Sequence, residues 1–116
     1  MGMRVLVCGG RDYDNWKRIN KTMSALDKES SISLIIQGGA NGADWLAAKW
    51  AKHNRKPCAQ FNAHWDTLGK AAGPMRNQWM LEFGQPELIV AFGGGRGTQN
   101  MVDSATNAGI KVIRVQ

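Results

Sequence analysis

The chain has 116 residues, 43% of them hydrophobic and 21% charged, and a formal net charge of +6. That length fits a single domain, residues 1–116, able to bury roughly 65% of its unfolded surface, and the composition excludes intrinsic disorder and fibrous repeats. No apolar run nears the ~18 residues of a membrane span, and the apolar start from Met3 to Cys8 is too short for a signal peptide, so a cytoplasmic chain without a membrane partner is expected.

The pattern alternates short β-branched runs with longer amphipathic stretches, as parallel strands joined by crossover helices do. A first strand is expected from Met3 to Cys8. A helix follows from Asn15 to Lys28, with Trp16, Ile19, Met23 and Leu26 on one stripe. The second strand runs from Ser33 to Gln37, and the helix after it aligns Ala43, Leu46, Ala47, Trp50 and Ala51. A thinner third strand spans Cys58 to Asn62. The segment from Ala63 to Ala72 lacks a period and reads as a functional loop. Pro74 suits the first position of a third helix, which carries Met75, Trp79 and Phe83 along one side. The fourth strand spans Glu87 to Phe92. Thr98 is the expected N-cap of a fourth helix that presents Met101, Val102, Ala105 and Ala108 inward and ends at Gly109. The fifth strand runs from Lys111 to Val115.

This order gives a three-layer α/β sandwich of Rossmann type, with a five-stranded parallel sheet in the order 3-2-1-4-5. Ligands bind such sheets outside the carboxyl ends of the strands, where the order reverses between strands 1 and 4. The glycines point there. The chain holds 14, about 12% against a usual ~7%. They cluster after strands 1, 2 and 4: Gly9 and Gly10; Gly38, Gly39 and Gly42; Gly93, Gly94, Gly95 and Gly97. Each cluster sits between a strand and a helix start, where free N–H groups and the helix dipole favour an anion. Turn formation alone would explain one cluster; three on one edge point to a ligand. Neither G-x-G-x-x-G nor G-x-x-x-x-G-K-[ST] occurs, which argues against a conventional dehydrogenase or P-loop NTPase.

Three ordered segments carry a resemblance. Gly38-Gly39-Ala40-Asn41-Gly42-Ala43-Asp44, Ala72-Gly73-Pro74-Met75-Arg76-Asn77 and Gly93-Gly94-Gly95-Arg96-Gly97-Thr98 resemble the SLOG superfamily. Within it they are most similar to its small YspA-type, cpYpsA-related members, a domain of unknown function. The resemblance implies a Rossmann-like fold that binds nucleotides or nucleotide derivatives. The LOG phosphoribohydrolases of this superfamily carry P-G-G-x-G-T-x-x-E, but here Gly93 replaces the proline and Met101 the catalytic glutamate. The DNA-processing branch, DprA, shares a motif similar to Gly38 through Asp44 and binds single-stranded DNA, usually with further domains.

The ligand-binding candidates are therefore Gly9, Gly10, Arg11, Gly38, Gly39, Asn41, Gly42, Asp44, Arg76, Asn77, Gly94, Gly95, Arg96, Gly97 and Thr98. Arg11, Arg76 and Arg96 would grip a phosphate, or else stand as solvated surface cations. Asp44 either steadies a helix dipole or accepts from a ribose hydroxyl. Asn77 would meet a base edge or satisfy backbone groups. Trp65 would stack on a nucleobase or pack its loop, Trp45 falls off the core stripe as an interface residue does, and Trp16, Trp50 and Trp79 read as core. His53 and His64 read as structural or exposed. No motif demands a metal, although Asp12, Asp14 and Asp103 would admit Mg²⁺ through phosphate oxygens. Cys8 and Cys58, beside apolar runs and without a C-x-x-C spacing, read as buried free thiols.

The leading expectation is a domain that holds a nucleotide-type small molecule. No catalytic residue is assigned. The alternatives are a hydrolase for N-glycosidic or phosphoester bonds, with Asp44 or Asp12 as acid or base, and a single-stranded nucleic-acid binder suited by the basic charge. Related folds pair through helices, so a homo-oligomer is admissible.

Overall fold

A computed structural model describes residues 2–116. Five parallel strands form one sheet in the order β3-β2-β1-β4-β5, with β1 at Met3–Gly9, β2 at Ile32–Gln37, β3 at Cys58–Gln60, β4 at Leu88–Phe92 and β5 at Lys111–Val115. Helices α1 (Trp16–Ser30) and α2 (Ala43–His53) follow β1 and β2. A short α3 (Trp65–Leu68) and a 3₁₀ turn (Gly69–Ala71) lead into α4 (Ala72–Gly84), and α5 (Arg96–Asn107) joins β4 to β5.

The central strands are apolar on both faces because helices cover both. On one side Val5, Val7, Ile35, Val90 and Phe92 pack with Ile19, Met23, Leu46 and Trp50 of α1 and α2. On the other Leu6, Cys8, Ile36, Ile89 and Ala91 meet Met80, Met101, Val102 and Ala105 of α4 and α5. Each large aliphatic side chain buried this way stabilises the fold by about 1.5–3 kcal/mol. Trp50 is wholly buried, and its indole N–H donates to Ser24 Oγ at 3.1 Å. Asn15 caps α1, its Oδ1 accepting from the Arg18 amide at 3.0 Å.

Expectations for four segments need correction. β3 ends at Gln60, two residues early. The stretch from Ala63 to Ala72 contains α3 and the 3₁₀ turn, each too short to leave a 3.6-residue period in the sequence. α4 starts at Ala72, so Pro74 is its third residue, still within the first turn where no intrahelical acceptor awaits an N–H. Its buried face is Ala72, Gly73, Asn77, Met80 and Gly84, whereas Met75 and Phe83 are exposed and Trp79 only half-buried. Gly84 faces inward because the end of the helix lies tight on the sheet. A Cβ on Gly84 would stand 3.1 Å from Ile36 Cδ1. The last correction concerns α5: Gly95 occupies its N-cap position, Thr98 is its third residue, and Ala108 is exposed beyond its end.

Candidate functional site

The carboxyl ends of β1, β2 and β4 meet, and backbone bonds stitch them. The Gly10 amide donates to the Phe92 carbonyl at 3.0 Å, and the Ala43 amide donates to the Gly10 carbonyl at 3.1 Å. Close approach excludes side chains at the seams. A Cβ on Gly9 would collide with the Phe92 carbonyl oxygen, and Gly42, at φ +78°, lies against the carbonyls of Gly10 and Arg11.

The loop after β2 closes on its own anion. Asp44 Oδ2, from the first turn of α2, accepts from the amides of Gly38 at 3.1 Å and Ala40 at 3.2 Å. The Gly39 amide donates to Gln37 Oε1 at 2.6 Å. Arg76 reaches across from α4, Nη1 donating to the Gly38 carbonyl at 2.6 Å and Nε to Asn77 Oδ1 at 3.0 Å. Burial pushes the Asp44 carboxyl above the usual carboxylate range, opposed by the Ala40 amide, the Arg76 charge and the Gly38 amide. Burial also lowers Arg76, and the Asp44 charge opposes it. These amides and this arginine are thus already engaged within the protein.

The start of α5 differs. Gln99 is the first residue of this helix whose amide finds an acceptor, the Gly95 carbonyl at 2.9 Å. Among the described residues, the amides of Arg96, Gly97 and Thr98 have no acceptor. Such an array attracts negative charge. Gly94, at φ +109°, is required by geometry, since a Cβ there would collide with the Thr98 side chain. Gly97 is not so required: its φ is not positive, and a Cβ there would have no protein atom within 4 Å, whereas Gly95, equally uncrowded, stands at the N-cap, a position glycine favours. Asn77 braces this end, Nδ2 donating to the Gly97 carbonyl at 3.1 Å and to Asn100 Oδ1 at 3.0 Å.

Between these loops lies a cavity of about 630 Å³. The expected residues Gly9, Gly10, Arg11 and Asp44 line it from the β1 and β2 ends. Arg76 and Asn77 line it from α4, and Gly94, Gly95, Arg96, Gly97 and Thr98 from α5. Gly38, Gly39, Asn41 and Gly42 lie off the lining: Gly38 and Gly39 spend their amides on Asp44 and Gln37, Gly42 is pressed on the first loop, and Asn41 is exposed. Sequence reasoning did not assign Cys8, Tyr13, Ala40 and Met80 to the lining. Cys8 and Tyr13 flank the Gly9-Gly10 pair, a signal that was available; Met80, one turn beyond Arg76, required knowledge of the helix face. Burial pushes the Cys8 thiol up to about 12, whereas Cys58 is exposed, contrary to expectation, because it begins the short edge strand β3.

From the cavity lining, the Arg11 guanidinium carbon reaches within 5.6 Å of the Trp65 ring centroid. Trp16 is half-buried at the core margin, 5.9 Å from His53, while His64 meets Trp79 edge-on at 5.9 Å. Trp45 is 59% exposed and, with Lys49, Lys52 and His53, lines a second hollow along α2. Among the described residues no three His, Cys, Asp or Glu side chains gather as a metal site, and no helix is long and apolar enough to cross a membrane.

Comparison with known proteins agrees with this architecture. A family model described as "YspA, cpYpsA-related SLOG family" matches residues 3–67, and the chain belongs to that family. The Gene 61 protein of Mycobacterium phage D29 is 37% identical over 123 aligned positions, covering 95% of this chain and 94% of the phage protein. The crystal structure of DNA processing protein A (DprA) from Streptococcus pneumoniae superposes with a TM-score of 0.79 at 19% identity. That match covers 99% of this chain and 50% of DprA, and what it establishes is the fold.

Proposed function

We propose that the cavity holds a nucleotide or nucleotide derivative, with a phosphate seated on the first amides of α5. The observation that carries this reading is Gly97, bare where neither positive φ nor packing asks for glycine, beside amides without acceptors. Glycine costs up to about 1 kcal/mol relative to alanine in a helix, so even in the first turn a bare position at Gly97 has a stability cost that close ligand approach would offset. Arg96 and Arg11, both exposed on the lining, supply the opposing charge. About 630 Å³ lies within the range of small-molecule sites. Calorimetry with inorganic phosphate, 5′-AMP, ADP and ADP-ribose tests the reading. Binding below millimolar concentration that weakens on Arg96→Ala supports it; no binding, or indifference to that substitution, overturns it.

A hydrolytic reading is favoured by the buried Asp44 carboxyl on the cavity wall, raised by burial as a general acid requires. Mass spectrometry of the bound ligand separates the two, because a pure binder returns it intact. A nucleic-acid reading is favoured by α2, where Lys49 Nζ lies 4.6 Å from the Trp16 ring centroid and 5.8 Å from that of the exposed Trp45. DNA processing is in the name of the structural neighbour. That reading predicts gel shifts of single strands that fade steeply as salt rises.

A further inference from the structure

We propose that Trp65 is the platform on which the base of the ligand stacks, and that Arg11 leaves this platform for the phosphate when the ligand enters. The proposal rests on the nucleotide reading above and adds the part of the ligand that the glycine loops do not touch.

Trp65 stays 48% exposed although its helix is pinned at two points. Its indole edge would stand 3.2 Å from a Cβ on Gly73, so the missing side chain lets the ring rest against the first turn of α4. One residue away, His64 meets Trp79 of the same helix. Gly73 and Asn77 are both buried on one face of α4, four residues and so about 6 Å apart along the axis. Trp65 is not itself among the lining residues, but Asn77 and Arg11 are, and they bring the cavity wall next to the indole.

Arg11 spans the two. It lines the cavity, and its guanidinium lies over the Trp65 ring at 5.6 Å. A cation over a solvent-exposed ring is weakly held, whereas a guanidinium on a phosphate makes charge-assisted, bidentate bonds. An entering phosphate therefore draws Arg11 inward and uncovers the indole face. A base attached to that phosphate through a ribose finds an aromatic surface at the rim. The other exposed tryptophan, Trp45, is grouped with residues that do not line this cavity.

The test is calorimetry on the whole chain with 5′-AMP and ribose 5-phosphate, which carry the same phosphate and differ in the base. The wild-type chain is expected to bind 5′-AMP about ten-fold more tightly, a typical stacking contribution. Trp65→Ala should erase that preference while leaving ribose 5-phosphate within about two-fold of its starting affinity, and Trp65→Phe should retain most of it. Arg11→Ala should weaken both ligands alike. If both ligands bind and Trp65→Ala leaves their ratio unchanged, the stacking assignment is wrong and the phosphate reading stands. If neither ligand binds the wild-type chain at millimolar concentration, both readings fall.

Discussion

Arg76 Nη1 donates to the Gly38 carbonyl at 2.6 Å and so ties the first turns of α4 to the loop after β2. The same guanidinium faces the charge of Asp44, whose carboxyl stands above its ordinary 3.8 because it is buried. Arg76→Ala leaves the Gly38 carbonyl and Asn77 Oδ1 without this donor and should cost about 1–3 kcal/mol. A carboxyl raised in the folded chain contributes stability that is complete below its unfolded pKa and lost as pH rises through its folded pKa. Without Arg76 the Asp44 carboxyl rises further, so the deficit should grow from acid toward neutral pH. Urea titrations at several pH values would show it; a deficit that shrinks toward neutrality would contradict the pairing.

Gly97→Ala should separate stability from binding. The added methyl meets open space and removes a helical glycine, so the melting temperature should rise by about 2–4 °C, corresponding to roughly 0.5–1 kcal/mol. Affinity for 5′-AMP should fall, since the methyl projects where the phosphate approaches. Gly94→Ala, at φ +109° and against Thr98, should instead lower the melting temperature. Equal affinity for Gly97→Ala and wild type would remove the main support for the phosphate seat.

Asp27 titrates in the opposite sense to Asp44. Its Oδ1 lies 2.8 Å from Lys56 Nζ and accepts from the Ile32 amide at 2.8 Å, and these two bonds hold its carboxyl below the ordinary 3.8. Its contribution is therefore present above the unfolded pKa and lost as pH falls through the folded one. Asp27→Asn should cost about 0.5–1 kcal/mol at pH 7 and nothing in strong acid. Thermal melts of the two proteins at pH 7 and pH 2 would reveal whether their curves converge.

The two thiols should be distinguishable by alkylation. With its thiol pushed up to about 12 and its side chain in the core, Cys8 is inert at pH 8. Cys58 is exposed. N-ethylmaleimide should add once to the native chain, at Cys58, and a second time only on unfolding. Early modification of Cys8, located by peptide mapping, would mean that the cavity floor opens to reagent.

The strand order was legible because short β-branched apolar runs mark β1, β2, β4 and β5, and crossover handedness then limits the topology. α4 departs from its sequence pattern for a physical reason. Met75, Trp79 and Phe83 are the larger residues and share helical spacing, but the face that packs is Ala72, Gly73, Asn77, Met80 and Gly84, where the close approach of Ile36 keeps position 84 bare. Glycine clustering marked the sheet edge correctly without distinguishing seam from lining. Gly42 and Gly38 are glycines because the protein itself crowds them, and only coordinates separate them from Gly95 and Gly97. Thr98 has the chemistry of a cap, yet its side chain lies over Gly94 and the helix begins before it.

Asp44 makes the loop after β2 self-sufficient. A turn that carries its own counter-anion keeps its shape with no guest present, so entry of a ligand need not organise this half of the rim. On the nucleotide reading proposed above, recognition falls to the start of α5 together with Arg11 and Trp65, and one small molecule would replace another without remodelling the scaffold.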